Sequence, residues 1–285
     1  MREPYLVNYQ QPALNVMGNR NSLWVRLAQS DEEIATAQRL RYQVFYEELS
    51  ASASESASQS KMDADHFDDI CDHLVVVNQT PAGQHSWFAV HDGEMVGTYR
   101  LLRQDVAREN GGFYTQSEFD LTPLLAAKPE LRFLELGRSC VLKEYRTRPV
   151  VELLWQGIWN YVRQHGLDVM LGCASLDGVD VAQHALTLDF LARNCKAPPE
   201  WNARALPERY VEMKSGGANG LDAKTALKTL PPLIKGYLRL GCYIGEGAVI
   251  DRQFNTTDVL IILPVSNINP RYFAHFGQPG EAITG

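Results

Sequence analysis

The chain has 285 residues, 45% hydrophobic and 21% charged, which is long enough to bury a sizeable core and ordinary for a globular protein. Its net charge of −7 argues against general attraction to nucleic acid, and no apolar run approaches the ~18 residues of a membrane span. The start Met1-Arg2-Glu3-Pro4 has no apolar stretch behind it, so a cytoplasmic protein without a signal peptide is expected.

Residues 1–21 read as polar and irregular, and Trp24–Ala28 as a short strand. Ser30-Asp31-Glu32-Glu33 has the pattern of a capping box, with Ser30 as N-cap. The helix it starts carries the apolar stripe Ile34, Ala37, Leu40 and Val44, with Arg41 in or beside it. The Ser/Ala-rich run at 50–61 buries little and reads as a mobile loop inside one domain. Leu74–Val77 and Trp87–Val90 are strand-like, and a turn at His91–Glu94 leads into a returning strand, Met95–Leu102. Leu131–Leu142 is another strand. Pro149–His165 is a helix with the stripe Val151, Leu154, Ile158 and Val162, closed by Gly166.

Leu167–Ala174 reads as a buried strand and Val181–Arg193 as a helix. Residues 196–230 are loop-rich. Pro232–Leu240 is a helix stopped by Gly241, and Tyr243–Ile250 and Val259–Val265 are the last strands. This order predicts a single mixed α/β domain over 1–285. The strand–helix–strand unit from 131 to 174 is a βαβ crossover, where a ligand is expected.

Five cysteines (Cys71, Cys140, Cys173, Cys195 and Cys242) are scattered and odd in number. They form no CxxC pair, which argues against a disulfide framework and a zinc site. Three segments carry candidate chemistry. At the junction Lys143-Glu144-Tyr145-Arg146-Thr147-Arg148-Pro149, a helix start with free amides can bind phosphate, or the segment is a solvated basic loop. It lacks the glycines that wrap a pyrophosphate, and Pro149 removes a donor, so one phosphate fits better than coenzyme A. The same basic residues suit an acidic carrier protein.

In Glu135-Leu136-Gly137-Arg138, residues three apart face opposite ways in a regular strand, and a bulge at Gly137 would bring them to one side. Glu135 is then a candidate general base, or half of a structural Glu–Arg pair. The acidic run Asp65-His66-Phe67-Asp68-Asp69, with Asp72-His73, can hold an ammonium group. Metal is disfavoured there for want of a second ligand cluster. Alternatively Asp65 and Asp68 pair with Arg41 and Arg100, two arginines in apolar settings that need carboxylates if buried.

Arg41-Tyr42-Gln43-Val44-Phe45, Asp65–Asp68, Gly97-Thr98-Tyr99-Arg100 and Glu135–Arg138 together resemble the acyl-homoserine-lactone synthases. Asp65–Val77, Leu171–Ser175, Leu230–Gly241, Gln253–Asp258 and Asn269–Tyr272 resemble the ornithine acyl-carrier-protein N-acyltransferases of the same superfamily. The likeness covers roughly residues 24–276. It implies a GNAT (N-acyltransferase) fold, a central mixed, mostly antiparallel sheet with flanking helices. It also implies a 3-hydroxyacyl donor on the 4'-phosphopantetheine arm of acyl carrier protein, no other cofactor and no metal. The α-amine of ornithine is the implied acceptor and lyso-ornithine lipid the implied product.

On that resemblance the thioester lies along the splayed strands, with the carrier and its phosphate met by Lys143, Arg146, Arg148, Val150 and Val151. A backbone amide just after Arg138, that of Cys140 or Val141, polarises the carbonyl, and Glu135 accepts the proton. Arg41, Arg100 or Arg138 holds the acceptor carboxylate and Asp65 or Asp68 its side-chain ammonium, with Phe45 among the acceptor-site residues. An amphiphilic product suggests peripheral contact with the inner membrane face. The rival readings are acylation of glycine, lysine or glutamine, a lactone synthase using S-adenosylmethionine, and a non-catalytic acyl- or lipid-binding protein.

Overall fold

The structure, a computed structural model, describes residues 15–80, 86–214 and 223–269. In chain order the elements are β1 (Val16–Arg20), β2 (Leu23–Leu27), α1 (Asp31–Tyr42), α2 (Glu55–Ser60), β3 (Asp72–Asn78), β4 (Ala89–Val90), β5 (Gly93–Arg103), α3 (Gln104–Glu109), β6 (Phe119–Asp120), α4 (Thr122–Ala127), β7 (Phe133–Val141) and α5 (Arg148–His165). Then follow β8 (Val169–Asp177), α6 (Ala185–Asn194), β9 (Arg204–Ala205), β10 (Tyr210–Val211), α7 (Ala223–Thr229), α8 (Pro232–Leu240), β11 (Tyr243–Asp251) and β12 (Thr256–Pro264). The strands form one sheet in the order β1-β2-β3-β5-β7-β8-β12-β11-β9-β6, with β4 on β5 and β10 on β11. Pairing is antiparallel except at β7–β8 and β9–β11, which gives the expected mixed, mostly antiparallel sheet.

Local signals explain the longer helices. Ser30 Oγ accepts the Glu33 amide at 3.3 Å and starts α1. Glu33 does not return to Ser30 as a full capping box would. Arg26, wholly buried on β2, takes both its oxygens at 2.7 and 2.8 Å, because a buried guanidinium must find carboxylates. α5 ends at Gly166 in the left-handed region, φ 56°. Its buried face carries Val150, Leu154, Ile158 and Val162, while Val151, placed on the stripe by spacing, is 44% exposed.

Several expectations shift. Residues 16–20, read as irregular, form β1, which closes on β2 through a tight turn at Asn21, φ 55°. The Ser/Ala-rich run contains α2, capped by Ser54 and buried nowhere. Trp87 lies outside the strand, 76% exposed. Residues 181–184 are a 3-10 turn leading into α6. Pro270–Tyr272, part of one resemblance segment, lie outside the described residues.

The crossover is confirmed, and its geometry makes the site. β7 and β8 pair in parallel only from Phe133–Val169 to Glu135–Leu171. Beyond that β8 stays with β12 along its whole length and β7 stays with β5, so the two strands part. Leu136, Met170, Leu171, Gly172, Cys173, Tyr237 and Ile261 line a small cavity at the parting. A Cβ on Gly172 would sit 2.4 Å from the Leu136 carbonyl oxygen, so only glycine lets the backbones approach there.

Gly157 plays a similar part under α5. A Cβ there would lie 2.7 Å from Val25 Cγ2 and 2.9 Å from a Leu74 methyl. Gly157→Ala is therefore expected to destabilise by about 1–3 kcal/mol from overpacking, less the ~1 kcal/mol that alanine gains in a helix. A lowered midpoint in urea checks it. Among the described residues, no helix is long and apolar enough to cross a membrane.

Candidate active site at the parting of two parallel strands

The bulge expected in β7 is present, but it falls one residue later than Gly137. The register runs from Thr98–Cys140 to Arg100–Gly137, leaving an extra residue on β7. Arg138 itself takes the left-handed conformation, φ 52°. That strained backbone is held by its side chain. Arg138 Nη2 lies 3.3 Å from Asp65 and Nε 3.3 Å from Asp63, and the guanidinium is sandwiched by the Tyr114 and Phe254 rings at 4.7 and 4.5 Å.

Around it is a buried lattice of opposite charges. Arg41 donates from Nε to Asp63 at 2.8 Å, to the Asp63 carbonyl, and to both oxygens of Asp68 at 2.8 and 2.9 Å. Arg100 donates to Asp65 at 2.6 Å and Asp68 at 3.3 Å. Asp65 and Asp68 also cap the 3-10 turn His66–Asp69. Burial works to raise the Asp68 carboxyl, but Arg41 and Arg100 override it and hold it below the ordinary value.

The second reading of these residues is therefore the observed one. Arg41 and Arg100 are 1% and 4% exposed and satisfy Asp65 and Asp68, so none of the four is offered to a substrate carboxylate or ammonium. Arg138 differs in being 12% exposed at its side chain and in meeting its two carboxylates only at 3.3 Å, although a buried nitrogen without a hydrogen bond is common to its Nε and to Arg41 Nη1. Phe45 meets the site through an edge-on contact with Phe254 at 5.6 Å.

Glu135 stands at the last parallel pair before the strands separate. Its partners are the Thr115 and Tyr114 amides, at 2.7 and 3.0 Å, rather than Arg138. Tyr114 thus links the two, its amide on Glu135 and its ring under Arg138. Burial raises the Glu135 carboxyl, and the Thr115 and Tyr114 hydrogen bonds offset this only in part.

The amide that faces the gap is that of Val141, not Cys140. The Leu142 amide donates to Val96 on β5 at 3.0 Å. By strand alternation the Cys140 amide also points to β5, and the Val141 amide points toward the side where β8 has departed. The Val141 carbonyl on that side accepts from Arg146 Nε at 3.0 Å. The Cys140 thiol lies under α1 near the Leu40 carbonyl and is raised by burial, so it is no nucleophile.

At the start of α5, Thr147 offers no side-chain cap, which leaves the Arg148 and Val150 amides without intrahelical acceptors, whereas the Val151 amide bonds the Thr147 carbonyl at 3.3 Å. Arg146 is paired with Glu48 and Arg148 with Glu152, while Lys143 is exposed. Of the expected phosphate-binding residues, Val151 therefore supplies neither an amide nor a charge.

A turn that sequence reasoning passed over organises the other wall. Residues Tyr114–Ser117 place Tyr114 under Arg138, bring the Thr115 hydroxyl 3.9 Å from Cys173, and lead into Glu118. Glu118 meets Asp251 and Asp258, with one oxygen of each within 4.8 Å of the others and all three residues buried. Asp258 lies in a segment quoted for its resemblance, whereas nothing local marks Glu118 or Asp251.

These features define an acyltransferase of the GNAT class, and the comparison with known proteins agrees. The Acetyltransferase (GNAT) domain family matches residues 40–156. The L-ornithine N(alpha)-acyltransferase of Agrobacterium fabrum is 50% identical over 270 residues, covering 95% of this chain and 90% of that protein. The protein of the same name from Rhizobium meliloti is 50% identical over 266 residues, 93% and 88% of the two chains. That from Rhodobacter capsulatus is 39% identical over 248 residues, 87% and 92%. The chain belongs to the L-ornithine N(alpha)-acyltransferase family.

Proposed function

We propose that the protein transfers a 3-hydroxyacyl group from acyl carrier protein to the α-amine of L-ornithine, giving lyso-ornithine lipid. The observation that carries this reading is the 50% identity, over nearly the whole chain, with enzymes named for that acceptor. The carrier thioester enters between β7 and β8, where the Val141 amide polarises its carbonyl. The free amine attacks, the C–N bond forms and the C–S bond breaks, and the carrier leaves as a thiol. An α-amine is largely protonated near neutral pH, so a base must act. Glu135, raised by burial at the mouth of the gap, takes that proton directly or through water. Arg138, the most exposed of the three arginines and held by its carboxylates only at 3.3 Å, holds the α-carboxylate.

The glycine-poor junction supports a carrier-borne single phosphate over coenzyme A. With Arg146 engaged by Glu48, exposed Lys143 and Arg148, whose pair with Glu152 lies on the surface at 88% exposure and is weak, are the charges most open to an acidic carrier. Lys143→Glu combined with Arg148→Glu is expected to raise KM for the carrier several-fold at low salt, the difference shrinking as salt screens it. An unchanged KM removes the basic junction from the docking site. The protein is expected to work in the cytoplasm, touching the inner membrane face only through its amphiphilic product.

The reading is tested with purified protein and acyl-carrier thioester, offering ornithine, lysine, glycine and glutamine in turn. Ornithine should release carrier thiol fastest. Faster release with another amino acid would reassign the acceptor, and release from acyl coenzyme A alone would reassign the donor.

A further inference from the structure

We infer that Glu118, Asp251 and Asp258 form the pocket that holds the side-chain ammonium of a diamino acid acceptor. The inference rests on the ornithine reading and assigns residues that the mechanism above leaves unused. The three come from the turn before β6, the end of β11 and the first part of β12. Glu118 and Asp258 are 1% and 5% exposed. Glu118 Oε2 and Asp258 Oδ1 are buried and have no hydrogen-bond partner.

The Cys173 thiol reaches Glu118, and the Thr256 and Ser175 hydroxyls reach Asp258, yet one oxygen of each carboxyl is left over. Buried carboxylate oxygens are nearly always satisfied, so two orphans in one cluster need a donor. Arg209 is the cation whose charge reaches Glu118 and Asp258, but its guanidinium donates to the Ser117 carbonyl at 2.9 Å. The contrast with the Arg41–Asp68 lattice is direct, since there every aspartate is met by an arginine. A primary ammonium has three N–H donors and three carboxylates surround this point, whereas a hard divalent ion seeks six or more oxygens.

Placement supports the match to an amino acid. The Asp251 Oδ1 accepts the amides of Gln253 and Phe254, at 2.8 and 3.0 Å, and the Phe254 ring lies under Arg138. The Tyr114 ring lies on Arg138 too, four residues before Glu118. One guanidinium and one acidic cluster are therefore tied together by two short segments. Cys173 joins this cluster to the acyl cavity, because it lines the cavity and its thiol neighbours Thr115 of the same turn. An acceptor with its carboxylate on Arg138 and its ammonium among the acids would present its α-amine toward the gap. Burial and the neighbouring acids raise both Glu118 and Asp258, as expected of a cluster that awaits a cation.

The test is calorimetric binding of ornithine and of norvaline, the same carbon chain without the δ-nitrogen, to the full-length protein. Wild type should prefer ornithine by about 10- to 100-fold, the range for hydrogen bonds to a charged group. Glu118→Gln and Asp258→Asn should each abolish most of that preference. Their melting temperatures should stay level or rise, since each removes buried repulsion. Equal binding of both ligands by wild type, or a preference that survives in folded variants, overturns the assignment. Displacement of ornithine by magnesium or calcium alone overturns it in favour of a metal site. An acid-dependent preference without acyl transfer would keep the pocket and sink the ornithine acylation reading. Transfer with a preference blind to both variants would do the reverse.

Discussion

Glu135→Gln should lower kcat/KM for amide formation by about 10²–10⁴-fold, the usual contribution of a positioned proton acceptor. The size follows from the chemistry, because an ammonium cannot attack and the site must take its proton. Glutamine keeps the shape and one acceptor oxygen, but its NH2 faces an amide donor from Tyr114 or Thr115, so some loosening of that turn is expected as well. The pH profile separates the two effects. Because the Glu135 carboxyl is raised by burial, kcat/KM for the wild type should rise with pH through that raised value as the carboxylate forms. The variant should lose this limb. A variant that turns over at the full rate, or one that keeps the limb, would return Glu135 to a purely structural role as the clamp of the Tyr114–Ser117 turn.

Arg41→Met should cost about 3–5 kcal/mol, a large fraction of the roughly 5–15 kcal/mol that holds a domain together. The substitution keeps volume but leaves Asp63 and Asp68 buried with one guanidinium fewer. The sign with pH is fixed by Asp68, whose carboxyl is held below the ordinary 3.8 in the folded protein. Its paired form stabilises the fold above the unfolded value and loses that contribution as pH falls through the folded one. The deficit of the variant should therefore be largest near neutrality and shrink on acidification. Urea titrations of both proteins at several pH values measure it. A deficit under 1 kcal/mol, or one that grows in acid, would mean that the lattice is not what holds α1 to the sheet.

What could be read from the sequence follows the range of the interactions. α1, α5 and α8 were legible because a cap, an apolar period or a terminal glycine is written locally in each. The crossover was legible for the same reason. β1 was not, since Val16–Arg20 is a short edge strand with polar residues at its end. The stretch 104–130 was passed over because α3 and α4 are six residues each, too short for a period to show.

In the site, Arg41 and Arg100 stood out as charges in apolar settings, and the demand of a buried guanidinium led to Asp65 and Asp68. Asp63 shares in the lattice but lies two residues past a low-complexity run and carried no such signal. The bulge was anticipated at glycine, the residue that takes positive φ at least cost. Arg138 takes it instead, because two carboxylates and two aromatic rings hold its side chain in place. The polarising amide was left between Cys140 and Val141, and only the pairing of Leu142 with Val96 decides which way each amide points. Glu118, Asp251 and Asp258 lie too far apart in sequence to be grouped without the fold.

The central claim is transfer from carrier protein to the α-nitrogen of ornithine. A single-turnover reaction of 3-hydroxyacyl carrier protein with ornithine labelled with nitrogen-15 at the δ-position tests it most directly, with the product read by fragmentation mass spectrometry. One carrier thiol should be released per amide formed, with the heavy nitrogen remaining a free amine. An amide on the labelled nitrogen, or no thiol released, would contradict the account.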